Sequence, residues 1–250
     1  MSSRVALISG GAKGIGRGIG LALAAQGWSI ALCYRTSHEA ALATCRDIDE
    51  AARSKGHTTT TIAIQADVSR PDACELLVQR VLETSGRIDA LVHCAGPYHR
   101  VDILAETPEG WRSMFENNLD SLFYLARLVA KPMIEQKWGR ILAFSMANAD
   151  RLAAQPQVTA HYLAKAGVLG LVRTLSKPLA KHRITVNAIS PGFVNSGSME
   201  ASELATIAKN IPAGYVGSVD DVVHAALYLL SDEASYVTGA NLQVSGGWGL

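Results

Sequence analysis

Three groups of residues in this chain are of a type and spacing that could do chemistry. The first runs from Ser9 to Gly16 and reads Ser-Gly-Gly-Ala-Lys-Gly-Ile-Gly. Glycines at 10, 14 and 16 allow a tight turn, a close backbone approach to a phosphate, and packing of a helix on a strand. A helix opening here would add unpaired N–H groups and a partial positive charge, the makings of an anion site. The spacing is GxxxGxG rather than GxGxxG, and alone it fits a plain turn as well as a phosphate cradle. Its place between a first strand and a first helix favours the cradle. The second group, Tyr34-Arg35-Thr36-Ser37, lies where the adenosine ribose of a dinucleotide held by that loop would arrive. An acid there would bind the 2′-hydroxyl and repel a 2′-phosphate. Arg35 and Thr36, with Lys13 from the glycine loop, offer a guanidinium, a hydroxyl and an ammonium instead. Bidentate guanidinium–phosphate pairing then favours the phosphorylated cofactor, NADP(H), over a reading of Arg35 as a solvated surface residue.

The third group is His161, Tyr162 and Lys165. On a helical wheel His161 stands about 40° from Lys165 and Tyr162 about 60° away on the other side. An imidazole donates a hydrogen bond when neutral and a proton when charged. A neighbouring ammonium lowers its pKa, so this pair suits steadying an oxyanion more than delivering a full proton. Tyr162 reads first as a packing aromatic and second as a hydroxyl brought in by a modest helix rotation. Ser145 reads equally as a catalytic hydroxyl and as a strand-end group bound to backbone or cofactor.

The elements that must position these groups alternate along the chain. Apolar, β-branched runs predict strands at 5–9, 29–34, 60–65, 90–94, 140–144, 185–189 and 241–244. Segments of helical period predict helices at 14–26, 39–55, 71–85, 108–136, 158–181 and 219–230. Ser69, Thr107 and Ser218 stand as N-caps before Pro71-Asp72, Pro108-Glu109 and Asp220-Asp221. Pro178 predicts a kink or an early end near Lys177. Residues 195–217 break the alternation and read as a site-covering excursion with a short helix over about 199–209. Strands separated by helices imply parallel pairing and a single-domain, doubly wound, Rossmann-type α/β/α sandwich of about seven strands.

Composition narrows the function. Of 250 residues 48% are hydrophobic, enough for a full core, and 23 Lys and Arg balance 22 Asp and Glu to a net +1. That balance argues against nucleic acid as a partner. No apolar run reaches the roughly 18 residues of a membrane span. Met1-Ser2-Ser3-Arg4 runs straight into the first strand, leaving no room for a signal peptide. Cys33, Cys45, Cys74 and Cys94 show neither metal-ligand nor disulfide spacing, so no metal and a reduced, cytoplasmic setting are expected.

With these motifs in place, the chain resembles the short-chain dehydrogenase/reductase family over its whole length. The glycine loop is similar to TGxxxGIG with Ser9 for Thr, and Ala66-Asp67-Val68 resembles the adenine-binding segment. His93-Cys94-Ala95-Gly96 sits where the family has Asn-Asn-Ala-Gly. Asn118-Leu119 resembles the helix-bending Asn of the catalytic tetrad, and Val186-Asn187-Ala188-Ile189-Ser190-Pro191-Gly192 the strand-six signature. Tyr236-Val237-Thr238-Gly239 and Val244-Ser245-Gly246-Gly247 are similar to the C-terminal strand region. The resemblance implies that NADP(H) is held by Gly10, Lys13, Gly14, Ile15, Gly16, Arg35, Thr36, Asp67, Val68, Ala95 and Gly96. It assigns the nicotinamide end to Pro191, Gly192, Val194 and Ser196, and the ribose hydroxyls to Lys165. The family also places a Tyr four residues before this Lys and a Ser thirteen before the Tyr. Here those positions are His161 and Asn148, while Met146 falls at the Ser by its distance from the fifth strand, implying two extra residues within 146–159. The catalytic set expected is therefore Lys165, His161, Asn118, Ser145 and Tyr162, with Tyr98 and His99 lining the pocket.

The function implied is an NADPH-dependent reductase, 3-oxoacyl reductase-like, of a small carbonyl, enone or acyl substrate with an altered proton-donor set. The alternative is a catalytically impaired NADP(H)-binding protein that works as a sensor or assembly partner. Helices 108–136 and 158–181 resemble those at the family's subunit contacts and imply a homodimer or homotetramer, with Trp248-Gly249-Leu250 a further candidate contact. Substrate choice is expected to reside in 98–104, 147–158 and 195–217.

Overall fold

The computed structural model describes residues 3–151, 153–197 and 200–250. Met1 and Ser2, Leu152 in one expected specificity loop, and Ser198 and Met199 at the expected start of the excursion helix lie outside the described residues. The strands are β1 (Val5–Ser9), β2 (Ser29–Tyr34), β3 (Thr61–Gln65), β4 (Ala90–His93), β5 (Gly139–Phe144), β6 (Ile184–Pro191), β7 (Val194–Asn195), β8 (Gly217–Ser218) and β9 (Asn241–Val244). The helices are α1 (Gly14–Ala24), α2 (His38–Ser54), α3 (Pro71–Ser85), α4 (Pro108–Phe115), α5 (Ser121–Gln136), α6 (Thr159–Ala180), α7 (Ala201–Ala208) and α8 (Val219–Leu230). Seven strands form one parallel sheet in the order β3-β2-β1-β4-β5-β6-β9.

Parallel strands need both faces covered, because each crossover lays a helix on the sheet. Side chains alternate accordingly along β1. Ala6 and Ile8 enter a core with Ile19 and Leu23 of α1, Ile48 of α2 and Val222 and Ala226 of α8. Val5 and Leu7 enter the opposite core with Leu77 of α3, Leu125 of α5 and Val168 of α6. The strand order reverses between β1 and β4, and a crevice opens beyond their carboxyl ends, where such sheets bind ligands.

The expected strands match within two residues, but several local expectations need correction. The helix expected over 108–136 is interrupted by a π-helical turn at Glu116–Asp120 that separates α4 from α5. Ser69 does not cap α3: the N-cap is Arg70, and the Ser69 hydroxyl instead donates to Asp67 Oδ1 at 2.7 Å. Thr107 and Ser218 do cap, the latter in a reciprocal box with Asp221. Pro178 neither ends α6 nor stops it near Lys177, since the helix runs on to Ala180. So close to the end, the proline's missing N–H deletes a bond only in the last turn, and buried Leu179 keeps that turn on the core. The excursion is closed at its neck by parallel pairing of β7 with β8. Trp248 packs edge-on against Phe193 of its own chain at 4.8 Å. No helix among the described residues is long and apolar enough to cross a membrane.

Gly10 has φ +67°, and a Cβ there would lie 2.9 Å from the Ala95 amide nitrogen. Gly10→Ala is expected to lower the unfolding free energy by roughly 1–3 kcal/mol, measured as a fall in the urea midpoint at unchanged slope.

Candidate functional site

The glycine loop turns out of β1 into α1 and forms the floor of two adjoining cavities. One, of about 280 Å³, is bounded by Tyr34–Ser37 at the end of β2, Ala66–Val68 after β3, and Ala95, Gly96 and Asn117. The other, of about 310 Å³, is bounded by Gly14–Gly16, Cys94, Phe144 at the end of β5 and Ser145 after it, and by Pro191, Val194 and Ser196. Gly10 and Lys13 line both, so the two form a bent cleft across the strand ends. Of the residues expected to hold the dinucleotide, fourteen line this cleft: Gly10, Lys13, Gly14, Ile15, Gly16, Arg35, Thr36, Asp67, Val68, Ala95, Gly96, Pro191, Val194 and Ser196. Gly192 does not. It lets β6 approach the segment after β9, for a Cβ on it would stand 2.9 Å from Ser245 Cα. Lys165 lies beneath the cleft rather than on its wall.

Two helices point their amino ends at the cleft without side-chain caps: α1 from Lys13 and α2 from Ser37. The first N–H groups of α1 and the Ser37 hydroxyl are therefore available for an anion, whereas the first amide of α2, that of His38, donates to the Thr36 carbonyl at 3.0 Å. Exposed Arg35 reaches across the first cavity and donates to Asn117 Oδ1 at 3.2 Å. Asp67 is oriented by Ser69, whose amide and hydroxyl both donate to Oδ1.

At the other end, Lys165 Nζ is buried and donates to the Phe144 carbonyl at 2.8 Å. Burial pulls its pKa from 10.5 down to about 8. Nζ and Asn118 Oδ1 both crowd Gly96, where a Cβ would overlap the Asn118 oxygen and lie 3.3 Å from Nζ. The π turn places Asn118 there: its Nδ2 donates to the Met114 and Pro97 carbonyls, and its buried Oδ1 has no partner. His161 is buried on the same helix as Lys165, and its Nδ1 is likewise unpartnered. Tyr98 covers the ring edge-on at 5.1 Å. Burial first, and the Lys165 charge second, push the His161 pKa down to about 4, with the Pro97 carbonyl opposing. The sequence supplied only the second of these causes.

The structure does not bring Tyr162 to this group. Its hydroxyl donates to the Asn148 carbonyl at 3.2 Å and accepts from the Ala153 amide at 2.8 Å. It thus pins the loop after β5, which turns through a left-handed Asn148 at φ +63°. Ser145 lines the second cavity, yet its hydroxyl donates to the Lys165 carbonyl at 2.8 Å, tying α6 to the end of β5. His99 pairs with Glu106 at 2.8 Å. Two of the expected specificity loops are joined: the Val101 and Ile103 amides donate to the Gln157 and Pro156 carbonyls.

Some residues of the site carried no sequence signal. Asn117 gave way to Asn118 in the motif, yet it lines the first cavity and receives Arg35, while Asn118 is buried beside it. The Phe144 and Pro97 carbonyls are backbone groups that no side-chain pattern reveals. Cys94 lines the second cavity, and burial holds its thiol up at about 12, so it stays protonated.

A nicotinamide dinucleotide fits these residues. Two uncapped helix ends and the glycine backbone suit its phosphates, and the unpartnered Asn118 Oδ1 lies against Gly96, which lines the first cavity. Comparisons with known proteins point the same way. The profile of the family described as "Enoyl-(Acyl carrier protein) reductase" matches residues 10–249. A 3-oxoacyl-(acyl-carrier-protein) reductase of Synechocystis sp. is 33% identical over 248 residues, covering 99% of this chain and 97% of its own. The structure of acetoin dehydrogenase YohF from Salmonella typhimurium superimposes with a TM-score of 0.88 at 27% identity, covering 98% and 97% of the two chains. A short-chain type dehydrogenase/reductase from Mycobacterium ulcerans gives 0.86 at 26% identity, covering 99% and 90%.

The two buried imidazoles make the fold acid-sensitive. Burial lowers His93 to about 3 and His161 to about 4, from 6.5. Below pH 6.5 the unfolded chain binds protons that the folded chain refuses, so stability falls as pH drops from 6.5 towards 4. Urea midpoints measured over that range are expected to decline, and to decline less steeply in His161→Phe.

Proposed function

Because the chain belongs to the short-chain dehydrogenase/reductase family and is an oxidoreductase of that family, we propose that it reduces a small carbonyl, enone or acyl substrate with NADPH. The observation that carries this reading is the unpartnered His161 Nδ1, buried on the same helix as the Lys165 ammonium and within reach of its charge. A nicotinamide bound in the second cavity would supply the hydride. Lys165, held by the Phe144 carbonyl, presents its remaining N–H donors to ribose hydroxyls and its charge to the reacting oxygen. The single ring hydrogen of neutral His161, carried on the unpartnered Nδ1, would be donated in a hydrogen bond to the oxygen on which negative charge develops, in place of the Pro97 carbonyl. Asn118 Oδ1 is a free acceptor at the same point, and Ser145 fixes the height of α6 through the Lys165 carbonyl. The missing ribose acid, with Arg35, Thr36 and Lys13 around the first cavity, supports NADPH over NADH.

NADPH oxidation followed with a panel of ketones, enones, imines and acyl thioesters tests the reading. Lys165→Ala is expected to abolish turnover, and His161→Phe to lower kcat about 10²-fold. Arg35→Ala should weaken NADPH binding about tenfold or more while leaving NADH binding within twofold. NADPH bound without oxidation of any panel member would instead establish the second reading, a nucleotide-binding sensor or assembly partner. A His161→Phe rate equal to that of the parent would remove His161 from the mechanism.

The same chain is proposed to assemble as a homodimer or homotetramer through α5 and α6. Phe123 of α5 is 45% exposed and Leu163 of α6 38%, apolar surface that a second copy would cover. Sedimentation at micromolar concentration is expected to give two or four times the monomer mass, and a monomer would overturn it.

A further inference from the structure

His93 stands at the end of β4, where it lines neither cavity, and the function above leaves it unused. It is buried, and each ring nitrogen touches a buried serine: Nδ1 lies 2.8 Å from Ser9 Oγ of β1, and Nε2 lies 3.0 Å from Ser121 Oγ at the start of α5. The direction of every proton follows from the neighbours. In the π turn the Ser121 amide bonds the Glu116 carbonyl five residues back. The Ser121 hydroxyl takes the carbonyl an α-helix would have given that amide, donating to Asn117 O at 2.9 Å. Its proton being spent there, Ser121 Oγ can only accept from His93, so Nε2 carries the ring hydrogen. Nδ1 is then the acceptor, filled by the Ser9 hydroxyl. Ser9 Oγ in turn accepts the Ala95 amide at 3.3 Å.

We propose that His93, fixed as its neutral Nε2–H tautomer, is the positioning residue that locks the Asn118 turn to the glycine loop. One end of the hydrogen-bond chain is the Ala95 amide, next to Gly96, which Asn118 Oδ1 and Lys165 Nζ crowd. The other end is the Asn117 carbonyl, next to Asn118 itself. An imidazole places donor and acceptor on opposite sides of a rigid ring, one for each serine, and so sets the gap between β1 and the turn. The π turn, whose wider geometry gives Asn118 its aim, has the Ser121–His93 contact as its tie to the sheet. The kinetic consequence rests on the reductase reading; the structural one does not.

The test uses the full chain with and without NADPH. In the unliganded parent, long-range 1H–15N spectra of His93 at pH 7 are expected to show a protonated Nε2 and an unprotonated Nδ1. A protonated Nδ1 overturns the proposal. Amide exchange is then compared in His93→Leu, Ser121→Ala and Ser121→Thr. Exchange at 116–121 is expected to quicken about tenfold or more in the first two, with β5 and β6 amides unchanged, and to return to the parental rate in Ser121→Thr. Unchanged exchange at 116–121 in Ser121→Ala overturns the proposal, and if His93→Leu fails to fold the serine variants still decide it. With a turned-over substrate, Ser121→Ala is expected to lower kcat about 10- to 100-fold with KM within twofold. A loosened turn with parental kcat removes the positioning role. A parent without turnover on any substrate sinks the reductase reading while the spectra and exchange still judge His93.

Discussion

A lysine ammonium taken out of water is the contact on which the rest of this site depends. Lys165 is only 8% exposed and has the Phe144 carbonyl as its protein partner. An ion buried on so little costs several kcal/mol, and the lowered Lys165 pKa records that cost. The Asn118 oxygen lies against the same glycine, and burial and the Lys165 charge hold His161 and His93 neutral. Ser145 fixes the Lys165 backbone and so the height of Nζ above β5. The site is therefore a positive charge with unfilled hydrogen-bonding capacity around it, open towards a cleft whose other end collects backbone N–H groups.

The sequence carries the scaffold of this arrangement well and its aim poorly. Strands are legible because burial on both faces demands continuous apolar runs, and β1, β2 and β9 fall where the pattern puts them. The glycine loop is legible because only glycine tolerates the left-handed Gly10 and the close pass of Ala95. The π turn at Glu116–Asp120 is not legible, since periodicity across 108–136 averages over a single widened turn. That turn decides where Asn117 and Asn118 point. The fate of Tyr162 is also decided tertiarily: the wheel angle to Lys165 is right, but the partners that claim its hydroxyl are backbone groups at 148 and 153. Ser69 shows the same limit on a smaller scale, its hydroxyl going to Asp67 rather than to the helix end.

Those local departures belong together. Tyr162 and the left-handed Asn148 shape the loop after β5, and that loop is joined through Gln157 and Pro156 to the loop carrying Tyr98 and His99. Tyr98 closes over His161, and Pro97 meets both His161 and Asn118. Tyr162 thus braces the loop after β5, which is joined to the loop whose Tyr98 covers His161. The tyrosine stands at 162, one residue after the position four before Lys165, and His161 occupies that position.

What the exchange means chemically follows from acidity. A phenol loses its proton near pH 10 and a neutral imidazole N–H far above that, whereas an imidazolium would be acidic enough but is disfavoured here by burial and by Lys165. In the proposed mechanism His161 would therefore steady a developing oxyanion without surrendering a proton to it. For a simple ketone that leaves the alkoxide to find its proton from solvent, a burden on the reaction. For a conjugated enone or enoyl substrate the oxygen becomes an enolate, a weaker base, and the proton is finally needed at carbon. Among the proposed substrates, the neutral imidazole beside a buried ammonium is better matched to the conjugated ones, because its strength lies in preorganised dipoles rather than in proton supply.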